Sequence, residues 1–307
     1  MKKAMVFLAA AALTGCEAGK VQMKQSVTGH VTEAPTAKMT GPKRRIAVVD
    51  FENKTAYGQG SLGSAAADVL MREIGKTGKF ILVERDKINK MLEEQKLGQT
   101  GVIDPNTAAQ MGKVLGVNAI VTGAISNFGV TTSGTDLLLT QTKKQVAKVT
   151  VDIRVVDAET GEVLYIDSGK GEATSAKGQF LGLGGRGGYD ETLEGDALAA
   201  AVSQLALNIE AQVGRKPWSA RVADFDGTHM YLDAGRESGV EIGARLLVFK
   251  LGREIKSPTT GKVIGRTEEK LGEAEVIEYF GDDGAKAKPL GAMPKNPTGG
   301  DLVKLAR

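Results

Sequence analysis

The sequence predicts an α/β domain, a sheet covered by helices, followed by a small all-β domain. Three observations carry that prediction. Between residues 44 and 215, short β-branched runs alternate with stretches of helical periodicity. Residues 216–307 hold about six short strand-like runs separated by Gly, Pro and Asp turns. Pro217-Trp218 marks the join. A length of 307 residues suits two such domains, and 41% hydrophobic with 25% charged residues is the balance of a folded chain.

Residues 45–51 (RIAVVDF) form a short apolar, β-branched run, the pattern of a buried strand. Ser61 is placed to cap a helix running to about Thr77, with Leu62, Ala65, Ala66, Val69, Leu70 and Ile74 at helical spacing and Gly78 beyond its end. A second strand is predicted at 80–84. A helix capped by Asp86 follows, and then one opened by Asp104-Pro105 and closed at Gly116. Residues 117–125 give a third strand. Residues 148–156 alternate strictly: Val149, Val151, Ile153 and Val155 share one face, while Lys148, Thr150, Asp152 and Arg154 share the other. A turn at 157–162 leads to a partner strand from Val163. Residues 193–213, rich in Ala and Leu, read as a long helix. The order βαβααβββα builds a helix-covered sheet.

In the C-terminal part, residues 221–232 read as two strands around Asp226-Gly227, and 233–243 as a Gly-punctuated loop. Further strands are expected at 244–251, 262–264, 271–280 and 300–306, which together suit a small barrel of SH3-like kind.

The N-terminus is an address. Met1-Lys2-Lys3 is followed by an apolar stretch at 4–13 and then by Leu13-Thr14-Gly15-Cys16, the form of a bacterial lipobox. The predicted leader is 1–15, and the Cys16 thiol is the predicted lipidation site. It is the sole cysteine of the chain, so an intramolecular disulfide and a zinc-cysteine cluster are both excluded. Residues 16–43, polar and holding His30, are expected to be a tether between membrane and domain.

Several function classes lose support. No apolar run reaches the ~18 to 20 residues of a spanning helix, which excludes a polytopic helical membrane protein. The net charge of +3 falls to +1 once Lys2 and Lys3 leave with the leader, so no electrostatic footprint for nucleic acid remains. The only histidines are His30 and His229, and no Ser-His, Cys-His or paired-carboxylate arrangement stands at a telling position, so no enzyme is expected. Gly182, Gly184 and Gly187 match a dinucleotide fingerprint, but no strand–helix unit surrounds them and no cofactor is expected. Asp224, Asp226 and His229 suit a turn better than a metal.

Four blocks carry a resemblance: 45–53 (RIAVVDFEN), 83–97 (VERDKINKMLEEQKL), 109–124 (AQMGKVLGVNAIVTGA) and 151–164 (VDIRVVDAETGEVL). In this order, behind a lipobox, they resemble the CsgG family of curli production assembly and transport lipoproteins, over about residues 44–213. The resemblance implies an outer-membrane lipoprotein whose domains face the periplasm and whose subunits form a ring. Glu17 fits that address, because in the lipoproteins it resembles an Asp there retains the chain at the inner membrane. In curli secretors two hairpins per subunit join into one barrel that passes unfolded fibre subunits. The candidate hairpins here are 126–147 and 169–189. Two features depart from the secretors. The loop at 52–60 is short, with Tyr57 its only aromatic, and the hairpins alternate poorly and carry Lys143 and Lys144. Hence 169–189 is expected to be either barrel strands or a flexible Gly-rich excursion in a non-channel scaffold. The C-terminal domain loosely resembles that of flagellar assembly T proteins.

Overall fold

The computed structural model describes residues 22–27, 41–58, 61–84, 86–88, 90, 107, 112, 114–137, 140–180, 183–184, 192–259, 261 and 263–306. Its first sheet comprises β1 (Gln22–Val27), β2 (Arg44–Val48), β3 (Glu52–Asn53), β4 (Phe80–Leu82), β5 (Ala119–Leu137), β6 (Thr140–Asp157), β7 (Val163–Phe180) and β8 (Leu183–Gly184). The order across it is β1-β7-β6-β5-β2-β4, with β3 beside β5 and β8 beside β7. β2 runs parallel to β4 and β5, whereas β5, β6 and β7 form one antiparallel meander paired along its whole length. The helices α1 (Ser61–Lys76) and α2 (Thr192–Gly214) lie where the periodicity predicts them.

The alternation in β6 sets the core. Val149, Val151, Ile153 and Val155 are all buried against Leu70 and Ile74 of α1 and Leu198, Leu205 and Ile209 of α2. Lys148 and Arg154, one residue out of phase, are exposed. The opposite face of the sheet buries Ala47, Ile120 and Val156 with Ile88. Both faces are therefore covered around β2 and the lower half of the meander.

Two glycines decide how closely α2 approaches. A Cβ on Gly169 would lie 2.0 Å from the Ala201 carbonyl, and one on Gly171 would lie 2.0 Å from the Ala197 carbonyl. Only glycine lets the helix backbone sit directly on β7, with its small Ala197 and Ala201 over the strand. These residues belong to the stretch expected to be either barrel strands or a flexible excursion. Up to Phe180 it is instead a strand registered against β6, from Val156–Val163 to Thr140–Phe180. The first candidate hairpin, 126–147, is the outer half of β5 and β6, beyond a bulge at Ile125/Asn127.

Two expectations change. The segment read as a tether contains β1, which pairs antiparallel with Gly169–Thr174 of β7. An exposed strand edge recruits extended chain because its N–H and C=O groups need partners, and hydrophobic pattern gives little notice of that. The short loop after β2 likewise contains β3, parallel to β5. Most of the helices predicted from Asp86 and Asp104, together with His30 and Cys16, lie outside the described residues.

The C-terminal sheet is a closed barrel in the order β10-β13-β12-β11-β14-β9. Its strands are β9 (Ser219–Phe225), β10 (Met230–Leu232), β11 (Arg245–Lys256), β12 (Val263–Phe280), β13 (Gly284–Pro289) and β14 (Leu302–Leu305). Trp218, Val222, Met230, Leu246, Val248, Val276 and Val303 fill it. The runs at 262–264 and 271–280 merge into the single long β12. Strand β13 (GAKAKP) was not predicted, because Gly, Ala, Lys and Pro are poor strand formers and only closure of the barrel holds them extended.

The helix–strand contact yields a paired prediction. Gly171→Val should cost at least about 2 kcal/mol, because the clash is with backbone. Gly195→Ala, in α2 with nothing within 4 Å of the added carbon, should gain about 0.5–1 kcal/mol. Urea midpoints of the two variants check both signs.

Candidate functional site

Two regions concentrate the chemistry of the chain: the junction between α/β domain and barrel, and the outer part of the β5–β6–β7 meander.

At the junction, Arg44 and Arg45 open β2 and point into different surroundings. The Arg44 guanidinium is buried, and its Nη2 donates to the Lys216 and Gly214 carbonyls at the end of α2. A cation there meets the last orphan carbonyls of the helix. Burial lowers its pKa. Arg45 reaches across to the barrel and donates to Asp283 Oδ2 at 3.0 Å. Asp283 also accepts from the Gly235 and Ser238 amides at 2.9 and 2.8 Å and from the Ser238 hydroxyl at 2.5 Å. Burial pushes the Asp283 carboxyl up, but the Ser238 and Gly235 hydrogen bonds and Arg45 together outweigh it, and its pKa lies below the usual carboxylate range.

A second set of charges closes the other side. Asp157, at the end of β6, is buried and accepts from the Glu159 and Thr160 amides, which shapes the turn into β7. Its other oxygen holds Lys216 at 2.5 Å, and Glu159 holds Arg221 of β9 at 3.2 Å. Between these contacts lies a cleft of about 350 Å³ lined by Arg44, Asn118, Lys216, Trp218 and Asp233. Burial raises the pKa of Asp233, although the Arg221 amide, Arg45 and Arg221 oppose the shift. The arrangement is a clamp. Its charged groups mostly satisfy one another, and none is presented as a nucleophile beside a base.

In the meander, antiparallel register places cross-strand neighbours on a common face. Moving outward, one face carries Phe128–Val149–Gly171, then Val130–Ala147–Ala173, then Thr132–Gln145–Ser175. The other carries Gly129–Lys148–Glu172, then Thr131–Val146–Thr174, then Ser133–Lys144–Ala176. Lys148 pairs with Glu172 at 3.5 Å. The first face is apolar only at its root, and the second carries lysines throughout.

The residues singled out from sequence are placed as follows. Tyr57 does not project from its loop. Its ring stacks on Phe128, centroids 4.5 Å apart, and its hydroxyl donates to Glu194 at 2.5 Å. Asp226 shapes the β9–β10 turn: Oδ1 accepts from the Thr228 and His229 amides at 2.8 and 2.7 Å, and Oδ2 from the Tyr231 hydroxyl at 3.2 Å. The His229 and Thr228 amide bonds hold its carboxyl at about 2. Asp224 pairs in register with Tyr231 on the same hairpin. Among the described residues no group of three or more His, Cys, Asp and Glu is arranged to hold a metal ion. Gly184 lies in β8; Gly182, Gly187, His30 and Cys16 lie outside the described residues. Sequence reasoning missed Arg44, Asp157 and Asp283. Charged residues at the ends of strands look like ordinary solvated termini until the second domain is seen to pack there.

Against known families, residues 24–234 match the model described as curli production assembly/transport component CsgG. The chain belongs to the CsgG family. The matched stretch takes in β1 and ends just after β10, so most of the barrel follows it. A relative from Neisseria meningitidis serogroup B, NMB1126/NMB1164, whose name gives it as a lipoprotein, is 27% identical over 225 residues, covering 69% of this chain and 95% of that one. Among solved structures, the PelC dodecamer of Paraburkholderia phytofirmans is 13% identical, with a TM-score of 0.31, over 62% of this chain and 98% of that one. Lipoprotein GNA1162 of Neisseria meningitidis is 17% identical, with a TM-score of 0.32, over 53% and 98%. At such TM-scores these two likenesses constrain neither the fold nor the role of this CsgG-family chain. No helix among the described residues is long and apolar enough to cross a membrane, which says nothing of strands.

The depressed Asp283 pKa has a pH consequence. Its contribution to stability is complete above the unfolded carboxylate pKa of about 4 and is lost as pH falls through the lower folded value. Asp283→Asn should lower the melting temperature at pH 7 and reduce its further fall between pH 5 and pH 2.5, as read by calorimetry. Asp283→Ala, which strands the donors of Arg45, Gly235 and Ser238, should cost about 2–4 kcal/mol.

Proposed function

We propose that this CsgG-family chain is a lipid-anchored assembly protein of the bacterial envelope. Acylated Cys16 holds it at the outer membrane, its domains face the periplasm, and its copies form a ring that acts as a scaffold rather than an open channel. The observation that carries the scaffold reading is the composition of the meander. A membrane barrel needs one face that is apolar over a band of about 25 Å, and each lysine on a lipid face costs about 2–4 kcal/mol near the midplane. One face here carries Lys144 and Lys148, and the other turns polar at Thr132, Gln145 and Ser175. Tyr57, the aromatic of the loop after β2, is committed to Phe128 and Glu194 rather than to a channel axis. No catalytic role is part of this reading. The C-terminal barrel, taken as SH3-like in kind, is the module for an accessory assembly protein.

The lipid is energetically sufficient for the anchor. Each buried methylene contributes about 0.8 kcal/mol, so several acyl chains on one cysteine hold a protein of this size at a membrane.

A second reading keeps the pore: curli-type surface fibre subunits pass through an oligomeric barrel built from the meanders of many copies. It is favoured by the family description and by strands of 18 and 19 residues, longer than the helices beside them require. Negative-stain electron microscopy of the lipidated protein in mild detergent separates the two. Rings without a membrane-height barrel are expected, and crowns with an open axis would establish the channel instead. Cys16→Ser should move the protein from the membrane fraction to the soluble one on cell fractionation, and retention in the membrane fraction would refute the anchor.

A further inference from the structure

The register of β1 fixes which end of the sheet faces the lipid. β1 pairs antiparallel with β7, from Gln22–Thr174 to Val27–Gly169, so its first residue lies towards the Phe180 end of the meander. Cys16 precedes Gln22 by six residues, a length of chain that spans at most about 20 Å. From Thr174 to Phe180 the strand advances by the same number of residues, again about 20 Å. A lipid on Cys16 therefore keeps the outer end of β5, β6 and β7 at the height of the membrane surface. The opposite end of the meander, at Asp157 and Glu159, is where the barrel is clamped.

What the topology gathers at that outer end suits a bilayer interface. One register row joins Leu137, Thr140, Phe180 and Leu183, and the sequence follows Leu137 with two further leucines. The rows just inside hold Lys143 opposite Lys177, and Lys144 opposite Ser133. Across residues 131–137, 140–146 and 174–180 those three lysines face a single acid, Asp136. An apolar rim backed by cations matches a surface of acyl chains beneath anionic headgroups.

We propose that the outer end of the β5–β6–β7 meander is a membrane-docking surface. It lies against the leaflet that holds the Cys16 lipid, with the Leu137 row in the interface and Lys143 and Lys144 at anionic headgroups. The proposal rests on the anchor reading of Cys16. It is peripheral rather than spanning, because about 20 Å of strand beyond Thr174 falls short of a hydrocarbon core of about 30 Å.

The test removes the anchor and keeps the rest of the chain. The full chain carrying Cys16→Ser is mixed with vesicles of phosphatidylethanolamine and phosphatidylglycerol and sedimented, with phosphatidylcholine vesicles as the neutral comparison. It should bind the anionic vesicles, more weakly as salt rises. The double change Lys143→Glu with Lys144→Glu should weaken binding about tenfold or more, and so should Leu137→Asp. Lys143→Arg with Lys144→Arg should preserve binding and show that the meander tolerates substitution there. Equal binding by the Glu and parent forms would overturn the proposal, as would dye release from the vesicles, which marks a spanning structure. Labelling the wild-type chain with a fatty-acid analogue separates the two readings. An unlabelled wild type overturns the anchor that sets the orientation, whereas an acylated wild type whose Cys16→Ser form ignores vesicles overturns docking alone.

Discussion

The contact on which the structure depends is that of α2 with β7. Gly169 and Gly171 leave no side chain between strand and helix, and Ala197 and Ala201 bring the helix backbone onto them. From that contact the rest of the placement follows. Leu198, Leu205 and Ile209 reach the valine face of β6. The helix then ends at Gly214, where Arg44 meets its last carbonyls and Lys216 meets Asp157. Trp218, four residues beyond the helix, already belongs to the barrel core. The same glycines stand on the length of β7 whose outer edge receives β1.

The meander thus has two unlike ends. At one, the turn through Asp157 and Glu159 and the Arg45–Asp283 pair tie the barrel to the sheet with buried or half-buried charges. At the other, some 60 Å away for strands of this length, apolar residues and lysines gather next to the entry of the anchored N-terminus. A strand set that long is a strut as readily as it is part of a channel wall. With the anchor at one end and the barrel at the other, it would carry the barrel well away from the membrane, where a partner of an envelope assembly can reach it. The ion pairs of the clamp contribute geometry more than net energy, since desolvation offsets most of the attraction between buried charges. What they supply is a fixed angle between the two domains.

Much of this was legible in the sequence. The strict alternation at 148–156, the cap and stripe of α1, the Ala-rich run of α2 and the turn at Asp226-Gly227 are local patterns with local causes, and each appears where expected. The lysine-bearing face of the hairpins was equally readable. The features that could not be read have non-local causes. β1 is polar and becomes a strand because β7 offers an edge. β13 is held by its neighbours in a closed barrel. The glycines of β7 look like a flexible segment until Ala197 and Ala201 arrive on them from α2. Arg45 and Asp283, 238 residues apart, become partners only when two domains meet.

The central claim is one of orientation: the outer end of the meander faces the membrane and the barrel faces away. It is tested most directly by electron paramagnetic resonance depth measurement on the lipidated chain. Acylation blocks the only native thiol, so Ser133→Cys or Thr228→Cys each introduces a single labelling site, one beside Lys144 near the outer end and one in the β9–β10 turn. The account predicts that a label at position 133 is relaxed by membrane-dissolved oxygen while one at 228 responds only to a water-soluble agent. A label at 133 that behaves as fully aqueous, or one at 228 at the membrane surface, would contradict it.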